Sequence, residues 1–77
     1  MGPNSKANVG SIQRITREKG FGFIRAEDGR DYFFHYTELQ NIELGQLIEG
    51  DQVEFVGVET PKGLRANEVR LTGSPAR

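Results

Sequence analysis

The sequence contains no cysteine, no tryptophan and only one histidine, His35, among its 77 residues. Without cysteine there is no disulfide framework, no thiolate nucleophile and no zinc site with sulfur ligands. A single imidazole also excludes a metal site built from several histidines, so we expect no metal and no other cofactor. The carboxylates form no arrangement typical of acid–base catalysis, and nothing marks a nucleophile beside His35. We therefore predict that the chain is not an enzyme.

Long apolar runs are absent as well. No stretch approaches the roughly 18–20 apolar residues that span a bilayer, and the chain does not open with a secretory signal pattern. We therefore expect a cytoplasmic protein without a membrane partner. The length provides for one small domain with a modest core. We place this domain at residues 9–72, with residues 1–8 as a disordered segment or an expression scar and residues 73–77 as a frayed tail.

Charge is nearly balanced, with a net value of −1. This balance argues against a protein that binds nucleic acid through bulk positive charge. The charges are nevertheless segregated along the chain. Residues 14–30 have a net charge of +2, residues 31–60 have seven carboxylates and no lysine or arginine, and residues 61–77 have a net charge of +3. The pattern is compatible with an ordinary solvated surface, or with a basic first hairpin that faces a polyanion while the acidic segment faces elsewhere.

Glycine and Asp-Gly signals at short intervals predict an all-β fold. Asp28-Gly29 is a strong hairpin signal. Residues 37–50 form a long connection with at most a short helical turn. Five short strands of this kind fit a small closed barrel better than an open sheet, because closure removes exposed strand edges. The predicted strands are 9–15, 20–25, 31–36, 52–58 and 64–71.

Six of the seven aromatic residues lie within the 16 residues from Phe21 to Tyr36. Because strand residues alternate between faces, Phe21 and Phe23 share one side of the second predicted strand. Phe33 and His35 likewise share one side of the third. A barrel buries only one face of its sheet, so these four side chains would form an exposed aromatic patch. The predicted core includes Ile24, Tyr32, Phe34 and Phe55.

A register shifted by one residue is the alternative to this assignment. It would bury Phe21, Phe23 and Phe33 and would turn Ile24 and Phe34 outward.

Cations border the aromatic residues, with Lys19 before Phe21 and Arg25 after Phe23. Single-stranded nucleic acid binds to such surfaces, because bases stack on rings while phosphates meet ammonium or guanidinium groups. Stacking contributes about 1–3 kcal/mol per base, so a few rings suffice even on a nearly neutral protein. We expect His35 to stack on a base or hydrogen-bond to one rather than to bind a metal.

Two segments resemble the ribonucleoprotein motifs of the cold-shock domain family. They read Lys-Gly-Phe-Gly-Phe-Ile at residues 19–24 and Tyr-Phe-Phe-His-Tyr at residues 32–36. Residues 50–55 and 62–69 resemble the family's fourth and closing strands. The resemblance implies a small five-stranded antiparallel OB-fold barrel that binds single-stranded RNA or DNA, with pyrimidine-rich strands preferred. It also implies a role as an RNA chaperone or as a modulator of transcription or translation.

The first strand departs from the family pattern. Where the family usually has Lys-Trp-Phe-Asn, this chain has Gln13, Arg14, Ile15 and Thr16. Arg14 retains the ability to stack through its guanidinium plane or to meet a phosphate. The loss of one base stack would weaken binding about 5- to 150-fold. We therefore expect a binder with a reduced stacking surface.

The sequence thus predicts a monomer that binds single-stranded nucleic acid with low sequence specificity and has no small-molecule substrate. The rings would stack on bases, the cations would meet phosphates and Tyr36 would close the edge of the site. The residues predicted to contact nucleic acid are Arg14, Lys19, Phe21, Phe23, Arg25, Phe33, His35 and Tyr36. The alternative is an OB-fold module that binds another protein through the same aromatic face. Salt dependence distinguishes the two, because nucleic-acid binding weakens as counterions are released, whereas a largely apolar protein contact hardly responds to salt.

Overall fold

Five strands make up most of residues 7–73, the part of the chain that the computed structural model describes. They close into a barrel in the order β1-β2-β3-β5-β4. The all-β prediction with five strands is therefore confirmed. One pair departs from a fully antiparallel barrel, since β3 and β5 run parallel. The strands are β1 (Ala7–Thr16), β2 (Phe21–Ala26), β3 (Asp31–His35), β4 (Gln52–Thr60) and β5 (Gly63–Gly73).

The strand ends differ from the predicted ones by at most two residues, and β3 and β4 begin where predicted. β1 begins at Ala7 because its first residues pair with β4, and β5 extends to Gly73 because that residue pairs with Gln52. Such pairing between segments distant in the sequence cannot be predicted from the local alternation of side chains. The predictions for residues 1–6 and 74–77 lie outside the described residues, and the division into domain and tails stays a prediction.

The long connection between β3 and β4 contains two 3₁₀ turns, Tyr36–Glu38 and Leu44–Gln46. Tyr36, which the sequence placed at the end of the third strand, is the first residue of the first turn. These turns are the only helical segments within residues 7–73, and neither is long or apolar enough to cross a membrane.

The inner face of the barrel holds the predicted core. Ile24 and Phe34 are fully buried, and Tyr32 and Phe55 are 5% and 1% exposed. The predicted register is therefore right, and the register shifted by one residue is wrong. Gly22 faces Phe34 across β2 and β3, and a Cβ at Gly22 would lie 2.8 Å from two carbons of the Phe34 ring. The absence of a side chain at this position lets the Phe34 ring fill the core.

An irregularity in β1 determines which of its residues face outward. Ile12 pairs with Ile24 and Arg14 pairs with Phe23, so Gln13 is an extra residue without a counterpart on β2. Such a bulge bends the strand and changes the direction of the following side chains. As a result, Arg14 lies in register with Phe23 on the outer face.

The start of the long loop covers the edge of β5 that β3 leaves free. β3 pairs with β5 at Phe33 and Arg65, and the loop continues the contact further along β5. Leu39 forms a bridge with Val69, and the N–H of Gln40 donates to the carbonyl of Val69 at 2.9 Å. The Asn41 side chain then pairs with the backbone of Leu71, accepting from its N–H at 2.8 Å and donating to its carbonyl at 3.1 Å.

Candidate nucleic-acid interface

Two adjacent rows of side chains cross the outer face of β1, β2 and β3. In the first row Arg14 lies opposite Phe23, and Phe23 lies opposite Phe33. In the second row Thr16 lies opposite Phe21, and Phe21 lies opposite His35. Pairing between adjacent strands therefore brings the predicted aromatic residues together on one surface. We call this surface the aromatic platform; its members are Phe21, Phe23, Phe33 and His35.

The three phenylalanines of the aromatic platform contact one another. The ring centroids of Phe21 and Phe33 are 5.2 Å apart, those of Phe23 and Phe33 are 5.7 Å apart, and those of Phe21 and Phe23 are 6.2 Å apart. All three side chains are half-buried, and none belongs to the buried core. They are less exposed than the sequence suggested because each ring covers part of its neighbours. Mutual packing holds the rings in place while part of each remains accessible.

His35 and Tyr36 extend the aromatic platform at the end of β3. Their ring centroids are 4.7 Å apart with the planes inclined by 35°. The backbone N–H of Thr37 donates to Nδ1 of His35, which also lies 3.0 Å from the Thr37 hydroxyl. Because a backbone N–H only donates, this 3.4 Å contact favours the tautomer of the neutral ring in which Nδ1 accepts and Nε2 bears the proton. Nε2 is therefore the ring nitrogen that can donate to a ligand.

Tyr36 lies at the edge of the aromatic platform and is 52% exposed. Its ring packs over Gly20, where a Cβ would come within 2.8 Å of a ring carbon. Gly20 has a φ of +79°, a conformation that favours glycine in the turn between β1 and β2. The turn and the ring thus hold each other in position beside Phe21.

The three predicted cations have different surroundings. Arg14 and Lys19 are exposed, and within residues 7–73 neither guanidinium nor ammonium forms an ion pair. Arg25 donates to the Asp31 carboxylate at 2.5 Å, across β2 and β3. This hydrogen bond, together with the charge of Asp31, raises the pKa of Arg25. Arg25 therefore lies at the end of the outer face, and the Asp31 carboxylate already balances its charge.

The prediction from sequence missed a groove on the β5 side of the aromatic platform. It has a volume of about 670 Å³ and lies between Phe23 and Phe33 on one side and the hairpin of residues 60–65 on the other. Lys62 and Arg65 come from this hairpin, and the Arg65 guanidinium lies 5.6 Å from the centre of the Phe33 ring. The net positive charge of residues 61–77 indicated an anion-binding segment. Only the parallel pairing of β3 with β5 shows that Lys62 and Arg65 lie beside the aromatic platform.

Ile15 does not belong to the aromatic platform. It pairs with Gly22 on the inner side of the sheet and packs against the core. Ile15 stands where the family pattern has phenylalanine, and the structure places this residue on the face opposite the aromatic platform. Of the two aromatic replacements in β1, only Arg14 changes the outer surface.

No three His, Asp or Glu side chains within residues 7–73 lie close enough together to hold a metal ion. The arrangement on the outer face is instead one of apolar rings, hydrogen-bond donors and uncompensated cations. Such a surface suits an anionic ligand with flat aromatic groups.

Comparison with known proteins gives a consistent match over the whole barrel. The family described as 'Cold-shock' DNA-binding domain matches residues 8–72. The probable cold shock protein A of Mycolicibacterium smegmatis is 47% identical over 62 residues, which cover 79% of this chain and 92% of that protein. The major cold shock protein CspA of Pseudomonas aeruginosa is 42% identical over 67 residues, which cover 87% of this chain and 97% of that protein.

A similar solved structure is Drosophila Unr CSD456. It superimposes with a TM-score of 0.75 at 27% sequence identity, and the match covers 96% of this chain and 30% of that chain. The similarity extends over the described strands, so it includes the elements that form the aromatic platform.

Proposed function

This chain belongs to the cold-shock domain family, and we propose that it binds single-stranded RNA or DNA by stacking bases on the aromatic platform. The family consists of nucleic-acid-binding domains that are not enzymes, which agrees with the prediction that the chain is no enzyme. The proposal is more specific than this general function: it names the aromatic platform as the binding surface, single strands as the ligand and base stacking as the contact.

The observation that carries the proposal is the packing of Phe21, Phe23 and Phe33 into one cluster outside the core. The three ring centroids lie within 6.2 Å of one another. Each accessible ring supports a base stack of about 1–3 kcal/mol, and stacking is tolerant of sequence because every base has an aromatic face. Low sequence specificity follows from this mode of contact.

The other predicted residues supplement the stacking. Arg14 and Lys19 are exposed and uncompensated, and we assign them to phosphates. Arg25 contacts a phosphate only in competition with Asp31, so its contribution is smaller. His35 stacks or donates from Nε2, and Tyr36 closes the edge of the site.

Family membership extends the proposal to ligand and role. We propose a preference for pyrimidine-rich strands and a role in RNA chaperoning or in modulating transcription or translation. We also propose that the chain acts in the cytoplasm as a monomer. In this role the low specificity is useful, because a chaperone meets many different strands.

The first test is fluorescence anisotropy of labelled heptathymidylate and of its RNA counterpart heptauridylate. We expect saturable binding that the Phe21→Ala/Phe23→Ala double variant weakens at least about 25-fold, since two stacks are lost. Both rings lie outside the core, so the variant should retain the fold, which urea unfolding would check. Val9→Ala is the matched control, because Val9 is exposed and apolar but lies outside the aromatic platform.

Two results would contradict the proposal. One is a folded protein that binds neither strand at millimolar concentration. The other is a double variant that binds as tightly as the parent chain. The first would favour the alternative of a protein-binding module on the same face.

A further inference from the structure

Arg65 extends the first row of the outer face onto a fourth strand. The row runs from Arg14 through Phe23 and Phe33 to Arg65, because β3 pairs with β5 at Phe33 and Arg65. Two phenylalanines are therefore bordered by a guanidinium at each end. The Arg65 end differs from the Arg14 end because it forms part of the wall of the groove described above.

The Arg65 guanidinium is held in place but remains available to a ligand. It lies over the Phe33 ring at 5.6 Å from the centroid, and the side chain is half-buried. Within the described residues it makes no ion pair and no side-chain hydrogen bond. Its planar set of donors is therefore unused. A guanidinium that is positioned in advance loses little freedom when it forms hydrogen bonds.

The turn of the same hairpin, which carries Lys62, is also positioned in advance. The Thr60 hydroxyl donates to the carbonyl of Gly63 at 2.8 Å and accepts from the N–H of Lys62 at 3.1 Å. These two bonds close the turn between β4 and β5. The groove therefore brings together two aromatic rings, the Arg65 guanidinium and Lys62, which offer stacking surface, planar donors and a positive charge to a nucleotide.

We propose that this groove is a guanine subsite in which Arg65 donates two hydrogen bonds to O6 and N7 of the base. The inference rests on the proposed function and assigns specificity to one position of the bound strand. Guanine presents two neighbouring acceptors on this edge, whereas adenine presents one acceptor and one donor and thymine one acceptor beside a methyl group. A guanidinium has donors only and so matches guanine best.

Cytosine is the competing base, because its O2 and N3 are also neighbouring acceptors in a single strand. A purine is favoured over it by the geometry of the groove. The volume of about 670 Å³ accommodates two fused rings, which cover more of Phe23 and Phe33 than a single ring does. The strand that binds best is therefore pyrimidine-rich with one guanine.

The test compares heptathymidylate with seven strands that each contain one guanine at a different position. We expect guanine at one position, or at two adjacent ones, to raise the affinity about 5- to 150-fold. At that position 7-deazaguanine, which lacks N7, should lose most of the gain. Hypoxanthine, which retains O6 and N7, should keep it. A second series of seven strands, each with one cytosine, measures the gain in affinity that the competing base gives.

Arg65→Lys supplies the matched variant, because it keeps the charge and removes the planar pair of donors. We expect it to remove the guanine gain, measured as the ratio of the variant's affinities for the guanine-containing strand and for heptathymidylate. Arg14→Lys, at the other end of the row, should leave the gain intact. Urea unfolding of each variant would show that the fold is retained.

Several outcomes would overturn the guanine subsite while leaving the proposed function intact. These are binding of heptathymidylate without a gain from guanine at any position, a larger gain from cytosine, or a gain that survives 7-deazaguanine or Arg65→Lys. Loss of the gain in Arg14→Lys would also overturn it, since the contact would then lie at the wrong end of the row. Failure to bind any strand would overturn both proposals together.

Discussion

Among single residues, Arg14 is the outer-face position of the first strand that departs from the family pattern. The bulge at Gln13 turns Arg14 outward, into register with Phe23. A guanidinium at this point supplies a positive charge and a small plane, whereas the indole of the family pattern supplies a large stacking surface. The stacking surface is therefore shorter by one ring, and a cation lies at its end.

Replacement of Arg14 by tryptophan should restore the missing stack. We expect Arg14→Trp to bind heptathymidylate about 5- to 150-fold more tightly than the parent chain, because one more base gains a stacking partner. Anisotropy at high salt is the appropriate measurement, since screening there removes most of the contribution of the lost charge.

Arg30→Trp is the control for this replacement. Arg30 is exposed in the turn between β2 and β3, and its one ion pair among residues 7–73 is with the nearby Asp28 carboxylate. A ring added there should leave the affinity unchanged. Equal affinity of Arg14→Trp and the parent chain would show that no base reaches this end of the row.

At the scale of elements, the loop between β3 and β4 is part of the barrel rather than a simple connection. Its residues 38–41 follow β5 from Glu68 to Leu71. The Glu38 carboxylate accepts from the N–H of Glu68, whose φ of 51° marks a bulge in β5. The side-chain amide of Asn41 then hydrogen-bonds to the backbone of Leu71, as a backbone amide does in a pair of strands. The loop therefore covers the part of the β5 edge that β3 is too short to pair with.

Removal of the Asn41 amide should weaken this closure. We expect Asn41→Ala to lower the free energy of unfolding by about 1–3 kcal/mol, because two hydrogen bonds to Leu71 are lost. Urea unfolding would show a lower midpoint at an unchanged slope. Gln40→Ala is the neighbouring control, since Gln40 contacts β5 through its backbone. An unfolding midpoint equal to that of Gln40→Ala would mean that water replaces the amide without cost.

At the scale of the whole molecule, the balanced net charge conceals an uneven distribution. Several carboxylates of residues 31–60 have structural partners. Asp31 pairs with Arg25, Glu38 accepts from the Glu68 N–H, and the buried Asp51 accepts from the N–H of Ile48. Apart from Arg25, the cations around the aromatic platform form no ion pair within the described residues. A nearly neutral chain thus presents a locally positive surface.

The salt dependence of binding should report this local charge and not the net charge. If Arg14, Lys19 and Lys62 each meet one phosphate, the logarithm of the affinity should fall by about 2 per logarithm of salt concentration. This corresponds to a loss of about 20-fold between about 50 and 200 mM salt. Lys19→Gln should make the slope shallower by about 0.7, whereas Arg70→Gln, opposite Glu54 on β4, should not change it. A slope near zero would favour a protein partner instead.

The inner and outer faces of the second and third strands follow from the local sequence. Alternation of Phe21 and Phe23 with Gly22 and Ile24 is a local pattern of period two, and only one register buries Ile24 with Phe34. Most of the aromatic platform could therefore be predicted, as could the number of strands. The resemblance to a family rested on the same local motifs, and the comparisons confirmed it.

Which residues border the aromatic platform depends on how the strands pair in the folded chain. Arg65 reaches Phe33 through a parallel pair of strands that are separated by the long loop and β4. Ile15 faces inward and Arg14 outward because of the bulge at Gln13. These positions depend on the pairing of segments distant in sequence and on single extra residues within a strand. Local alternation contains neither kind of information, and for that reason the groove became visible only in the folded chain.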